Sequence, residues 1–340
     1  MNIELYTYQD EITEREVLGN FVAGHPEGNF FQSPDFFDFI KKVKGYRPFQ
    51  LIAKEGGEIK GTLLGVFQSN GGNVKSWLSR RLIVWGGPLV KADTVEAEQI
   101  CIAEVLRNLK QYAGGKAIFT EFRNFYDMSA YKAAFEKAGF EFRPHLNFLV
   151  KTDEEAAVRK RVSKSRMRQI KSSLKLGATI EEAANEEEVL AFYQILEVLY
   201  RDKVKKPLPG IELFLNFYRT PALCKFFVIK HEGEVVGGIV CPVFENKIIY
   251  EWYVCGNDGV VKGLHPSVLA TWAPIEYGFK NGYSHFDFMG AGKPDEDYGV
   301  REFKARFGGE EVGYGRFYMI VNKSLYQVGQ LGLKVYQKIR

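Results

Sequence analysis

Apolar positions recur along the chain in two rhythms, an alternation that predicts strands and a three-to-four-residue spacing that predicts helices. The first half reads as strand Ile3–Tyr8, helices Ile12–Val22 and Pro34–Val43, and a hairpin of Phe49–Lys54 and Ile59–Gln68 around Gly56-Gly57. Ser33 as cap and Pro34 in the first turn open the second helix. Strand Ile83–Val90, helix Thr94–Tyr112, strand Lys116–Phe122, helix Ser129–Ala138 and strand Glu141–Val150 follow.

The order then begins again. A basic helix from about Asp153 to Leu176 precedes strand Thr179–Ala183, helix Glu186–Arg201 and helix Ile211–Tyr218. A hairpin of Phe226–His231 and Val235–Phe244, strand Ile248–Val254, helix Pro266–Asn281 and strand His285–Phe288 come next. Short helix Gly299–Arg306, strand Val312–Val321 and terminal helix Leu325–Ile339 close the chain. Glu55-Gly56-Gly57-Glu58-Ile59-Lys60-Gly61 mirrors His231-Glu232-Gly233-Glu234-Val235-Val236-Gly237, and a helix–Gly114–strand unit mirrors a helix–Gly282–strand unit. A nearly constant offset with one element order marks an internal duplication. The prediction is an α/β (α+β) chain of two domains, 1–150 and 151–340, each a mixed sheet flanked by helices.

Length, 340 residues, fits two domains. Hydrophobic residues at 46% and charged residues at 26% exclude a disordered or fibrous chain. A net charge of +4 is too small to mark a nucleic-acid binder by itself. The four cysteines form no CxxC pair and the five histidines are scattered, so neither a zinc site nor a disulfide scaffold is expected. The acidic start of the chain is unlike a signal peptide, and no apolar run reaches the roughly 18–20 residues of a membrane span. A cytoplasmic protein is expected. Gly290-Ala291-Gly292-Lys293 imitates the end of a P-loop, but Asp287 and Pro294 stand where glycine and Ser/Thr belong.

Several stretches resemble the FemAB family, whose members pair two GNAT-like (GCN5-related acyltransferase) domains. Phe31-Gln32-Ser33-Pro34-Asp35-Phe36 resembles the opening of its first helices, and Gly86-Gly87-Pro88-Leu89 its glycine-proline turn. The run Ser163–Lys171 resembles its basic helix, and Phe286–Gly290 followed by Phe303–Gly308 its strand end and Phe-Lys motif. A BioF2-like acyltransferase group shares the second-domain motifs. The long coiled-coil arm of some FemAB proteins is missing between Asp153 and Arg201. The resemblance implies transfer of an aminoacyl or acyl group to an acceptor amine, here a peptidoglycan precursor or another small molecule. The donor would be aminoacyl-tRNA or acyl-CoA used as co-substrate, with no tightly bound cofactor and no metal. The alternative is a non-catalytic module that holds a cell-wall or lipid intermediate in a groove between the domains.

In a GNAT fold two central parallel strands splay apart to seat the donor, beside a helix N-terminus suited to phosphate. By resemblance the splayed strand is Ile248–Val254 and the helix starts at Pro266, making Lys262, Gly263, His265 and Ser267 the candidate donor-binding residues. Phe303 and Lys304 would lie at the reaction centre, with Lys304 stabilising an oxyanion and Asp287 orienting the amine or taking its proton. Tyr250, Trp252 and Tyr253 would line the channel. Arg201, with Lys205 nearby, would hold an anionic acceptor through bidentate contacts. Arg159–Lys175 carries eight basic residues and no acid, suited to tRNA phosphates or a membrane-borne anionic acceptor. Each has a structural alternative: a solvated lysine, a satisfied strand-end acid, core aromatics, a cation at a helix C-terminus, a glycine-rich surface loop and a solvated basic face. The terminal helix, with Leu325, Val328, Leu331, Val335 and Ile339 on one face and Lys334, Lys338 and Arg340 near its end, is expected to pack on the second domain; peripheral membrane contact is its other use.

Overall fold

The architecture is that of a computed structural model, which describes residues 1–69 and 79–339. The chain forms two compact units, Met1–His145 with Gly313–Ile339, and Leu146–Val312. Each is built on its own mixed sheet of eight strands.

The first unit begins with β1 (Asn2–Thr7), α1 (Arg15–Gly24) and α2 (Pro34–Ile40), the last capped by Ser33, whose hydroxyl accepts the Phe36 N–H. The hairpin β2 (Tyr46–Glu55) and β3 (Glu58–Gln68) leads to β4 (Arg81–Trp85) and, after the Gly86–Pro88 break, β5 (Leu89–Val90). Then come α3 (Val95–Ala113), β6 (Phe119–Arg123), α4 (Lys132–Lys137) and β7 (Glu141–Arg143).

The second unit runs β8 (Asn147–Lys151), α5 (Glu155–Arg161), α6 (Lys164–Lys175), β9 (Thr179–Glu182), α7 (Glu186–Leu199) and α8 (Ile211–Tyr218). Its hairpin is β10 (Cys224–His231) and β11 (Glu234–Phe244), followed by β12 (Ile248–Tyr250), β13 (Tyr253–Gly256), α9 (Pro266–Asn281), β14 (His285–Asp287), α10 (Gly299–Ala305) and β15 (Glu310–Val312). The chain then returns to the first unit with β16 (Arg316–Ile320) and α11 (Lys323–Ile339).

The sheet orders are β1-β2-β3-β4-β6-β16-β7, with β5 on β3, and β9-β10-β11-β12-β14-β8-β15, with β13 on β11. These are one topology used twice. Among the described residues the parallel contact is at the same place in each, β4 on β6 and β12 on β14. Both hairpins carry a register shift at the same point, between Ala53 and Lys54 and between Ile229 and Lys230. Residue 53 plus the repeat offset of 176 is residue 229, so the duplication reaches down to one bulge.

Three expectations are corrected. Glu141–Val150 is not one strand, because Pro144 cannot donate to a ladder; β7 stays with the first sheet and β8 pairs with β14 in the second. Val312–Val321 likewise divides at Gly313–Gly315 into β15 and β16, in different sheets. The boundary therefore falls after His145 rather than 150, and residues 313–339 belong to the first unit. The terminal helix packs there, with Tyr326 edge-on to Phe119 at 5.9 Å. Val328 and Leu331 of its expected packing face are exposed. The side chains of Lys334, Val335, Lys338, Ile339 and Arg340 lie outside the described residues. Third, the basic helix is two helices, α5 and α6, because Ser163 caps the second by accepting the Arg166 N–H.

Helix α9 is the central helix of the second unit and sits directly on the end of β8. A Cβ at Gly278 would stand 2.8 Å from Thr152 Cγ2. Gly278→Ala is therefore expected to destabilise by about 1–3 kcal/mol through overpacking, although alanine in an open helix gains about 1 kcal/mol. Chemical denaturation of the variant measures which effect wins.

Candidate active site

The second sheet opens where β12 ends. Strand β12 pairs with β14 in register from Ile248–His285 to Tyr250–Asp287. One further bond, from Glu251 N to Asp287 O at 2.8 Å, closes the ladder. The chain then swings away, and Trp252 N donates instead to Val240 O on β11 at 3.0 Å. The expected strand Ile248–Val254 is thus two strands hinged at Glu251-Trp252, with the splay at that hinge.

Three charged side chains meet at the apex, all largely buried. Lys304, from α10, donates to Phe288 O, Gly290 O and Glu251 Oε1, each at 2.8 Å. An ammonium has three N–H bonds, so all three are committed in this arrangement. Lys304 neither faces bulk water nor offers a free donor to an oxyanion, the direct role expected of it. It fixes the turn after β14, where Met289 adopts a left-handed φ of 55°, and it neutralises Glu251.

Asp287 Oδ1 accepts from Asn147 Nδ2 at 2.7 Å and from Met289 N at 2.6 Å. Burial pushes its carboxyl up to about 6, against the opposing pull of those two donors and of Lys304, with Glu251 nearby adding to the rise. Burial also raises the Glu251 carboxyl, and Lys304 opposes it. Glu251 Oε2 is buried without a hydrogen-bond partner. Sequence reasoning missed Glu251. Its signal was an acid set inside the aromatic and aliphatic run Ile248-Ile249-Tyr250-Glu251-Trp252-Tyr253.

Phe303, beside Lys304, is half-buried beneath Arg166 of α6. The Arg166 guanidinium lies 4.3 Å from the Phe303 ring centre and 5.0 Å from that of Phe307, and donates to Phe303 O at 3.2 Å. Burial holds Arg166 down at about 10, with Arg306 adding to the shift. The aromatic slot repays part of that desolvation. Arg166 was expected as one of eight phosphate-binding cations and is instead a strut for α10. Arg159 pairs with Glu155 and Glu276, and Arg161 with Asp153. Acids before the run and on α9 thus engage two of the cations, and Arg166 is buried.

The remaining candidates divide. Tyr250 is fully buried, on the face of β12 opposite Ile249 of the core cluster. Trp252 and Tyr253 pack beneath α8, with ring centres 5.0 Å from Phe217 and Phe214 respectively. Arg201 stands exposed in a π-helical turn after α7, paired with its neighbour Asp202 at 2.7 Å. Lys205 ends that turn with a left-handed φ of 51°. Lys262 and Gly263 are exposed in the loop before α9, and His265 N donates to Ser173 Oγ at 2.9 Å. Ser267 N, the first free amide of α9 after Pro266, donates to Asp258 Oδ1 at 3.2 Å. A carboxylate thus already occupies the helix end expected to hold a phosphate. Among the described residues no group of His, Cys, Asp and Glu is placed to hold a metal, and no helix is long and apolar enough to cross a membrane.

The first unit lacks this chemistry at the equivalent place. Gly86 N donates to Arg123 O at 2.9 Å, the counterpart of the Glu251–Asp287 bond, so glycine and arginine replace the two acids. The strand break is filled from within. Gln32 Nε2 donates to Trp85 O at 2.8 Å, its Oε1 accepts from Leu64 N at 2.8 Å, and a Cβ on Gly87 would overlap its amide.

Residues 158–304 match the family model of an acetyltransferase (GNAT) domain. With the duplicated sheet, the fold is that of a GNAT-type N-acyltransferase built on two such folds. The FemAB-like resemblance holds along the chain. It superposes on the crystal structure of FemX with a TM-score of 0.70 and 14% identity, covering 96% of this chain and 99% of that one. The structure of L-PGS from Bacillus licheniformis gives 0.57 and 16%, with 96% and 99% covered. A tandem GNAT protein from the clavulanic acid biosynthesis pathway gives 0.54 and 9%, with 94% and 99% covered. No curated protein matches the sequence.

Two outcomes follow from the buried charges. Lys304→Met leaves Glu251 buried and unpaired and is expected to cost about 3–5 kcal/mol, whereas Lys304→Met with Glu251→Gln recovers a large part of it; a denaturant double-mutant cycle reads the difference. Asp287 binds its proton more tightly folded than unfolded, so its contribution is greatest below about pH 4 and declines as pH rises to about 6. Asp287→Asn keeps the Oδ1 acceptor and removes the titration. Its stability relative to the parent should therefore rise by on the order of 3 kcal/mol between pH 4 and 7, measured by urea unfolding across that range.

Proposed function

We propose that the protein transfers an aminoacyl group from aminoacyl-tRNA to the amine of a peptidoglycan-precursor-like acceptor, at the apex of the second sheet. The observation that carries this reading is the buried Asp287–Glu251–Lys304 constellation at the point where β12 and β14 part. The acceptor amine attacks the ester carbonyl, its nitrogen–carbon bond forms, and the carbon–oxygen bond to the ribose breaks. Asp287 takes the amine proton and gives it to the departing ribose oxygen, which leaves as a hydroxyl; a carboxylate with a raised pKa is a better base near neutrality than an ordinary one. Lys304 acts at the apex as a positioned charge that opposes the effect of burial on Glu251 and keeps the turn after β14 in place. The Phe288 ring, 5.1 Å from the Lys304 ammonium, shields it, Phe303 backs the apex through Arg166, and Arg201 with Lys205 meets the anionic part of the acceptor.

The preference for an aminoacyl ester over a CoA thioester rests on Asp258. Its carboxylate accepts the Ser267 N–H, and a diphosphate seeking the α9 amides would meet a like charge there. A second reading, acetyl transfer from acetyl-CoA, is favoured by the match of residues 158–304 to an acetyltransferase model. In that case Lys262, Gly263, His265 and Ser267 hold the pyrophosphate once Asp258 moves aside.

One assay separates the two. The purified protein is supplied with a pool of charged tRNA or with acetyl-CoA, each with a muramyl-pentapeptide acceptor, and amide products are read by mass spectrometry. An aminoacylated product from tRNA and none from acetyl-CoA is expected, and acetylation alone selects the second reading. Asp287→Asn should lower kcat at least tenfold, about 1.4 kcal/mol of barrier; an unchanged kcat removes Asp287 from the chemistry.

A further inference from the structure

The basic run does not disappear when Arg159, Arg161 and Arg166 are accounted for. Within α6, Lys164, Arg168, Lys171 and Lys175 remain, all exposed. Their spacing of four, three and four places them along one line of the helix. Arg166, Ile170 and Ser173 form the buried face, which at 100° per residue lies opposite that line. The helix contains no acid. Of the six cations exposed between 159 and 175, four form this stripe; Lys160 and Arg161, the latter paired with Asp153, sit just before it.

The C-terminal end of the stripe has a second character. Leu174 and Leu176 are 44% and 46% exposed, and Val260, in the loop before α9, is 79% exposed. Helix end and loop are tied together: Ser172 Oγ donates to Gly263 O at 3.2 Å, His265 N donates to Ser173 Oγ, and a Cβ at Gly263 would stand 3.5 Å from Leu176 Cδ1. Lys262 is exposed in the same loop. Aliphatic tips on two adjoining segments thus sit at the end of a line of cations.

We infer that α6 and the 257–263 loop form a docking surface for an anionic lipid membrane. Cations near an anionic bilayer are attracted by its surface potential, and aliphatic tips gain by entering the acyl boundary. Two exposed leucines and a valine with no polar cover add nothing to a contact with RNA phosphates, which the cations alone would serve. The aliphatic tips therefore favour lipid over nucleic acid. The surface includes the loop that leads into α9, so docking would bring that side of the second unit to the bilayer. This goes beyond the acyl-transfer reading and needs neither donor nor acceptor.

The test is co-sedimentation of the full chain with vesicles of phosphatidylcholine alone or with about a third phosphatidylglycerol, at near-physiological salt, beside a gel shift on uncharged tRNA. Pelleting with the anionic vesicles only is expected. Lys171→Glu with Lys175→Glu should reduce it at least tenfold, and Leu176→Ser with Val260→Ser at least threefold. All four positions are exposed, and unchanged melting temperatures confirm that the variants fold. No pelleting with anionic vesicles overturns the inference. So does pelleting that is indifferent to the serine pair while the glutamate pair abolishes a tRNA shift, an outcome that assigns the stripe to RNA. Failure in either form leaves the acyl-transfer assay unaffected.

Discussion

The second unit depends on a lysine and a glutamate that share a place from which water is largely excluded. Glu251 sits buried at the hinge between β12 and β13, where an isolated carboxylate would be neutralised rather than tolerated. Lys304 makes the charge bearable, and two carbonyls of the turn after β14 complete the ammonium's shell. Replacing such a pair by apolar residues is often neutral or favourable for stability. Its value here is geometric. The pair holds the end of β14 beside the hinge of β12 and β13, and that hinge is where the sheet opens. Helix α10, seven residues long, is too short to stand alone. Arg166, slotted between Phe303 and Phe307, holds it down, so the basic helix supports the apex without touching the reacting groups.

The duplication makes the point by contrast. Both units carry the same strand order, hairpin bulge and terminal bond across the parallel pair. Only the second has acids at that bond. In the first, Gly86 and Arg123 stand at the corresponding places and Gln32 fills the break with its amide. One scaffold therefore tolerates either an opened apex with two buried acids or a stapled one without them, and a handful of side chains decide which.

Much of this was legible in the sequence. The hairpin offset of 176, the helix–glycine–strand units and the Phe-Lys pair led to the tandem fold and to Asp287 and Lys304. The errors have physical causes that were also visible. Pro144 and the Gly313-Tyr314-Gly315 turn interrupt what apolar alternation alone reads as continuous strands, and Ser163 caps a new helix inside a basic run. Burial of charge was the harder matter. A run of cations looks solvated, and nothing local says that Arg166 turns inward, although Phe303 and Phe307, one on a short helix and one just past its end, form a slot that suits a guanidinium. The full commitment of Lys304 was not readable at all, because its acceptors are two backbone carbonyls and an acid 53 positions away in the chain.

The exchange of strands gives the duplication a further consequence. Strand β8 follows the first copy in sequence but lies in the second sheet, against β14, while β16 follows the second copy and lies in the first, against β6. Neither sheet is complete without a strand attached to the other copy, and each would otherwise present an unpaired edge. Asn147, whose amide holds the Asp287 carboxylate, is on β8. The apex therefore includes a residue delivered from beyond the repeat that carries the rest of it. A second repeat taken alone from 151 onward would have Asp287, Glu251 and Lys304 but would lack the strand that flanks β14 and the amide that fixes Asp287.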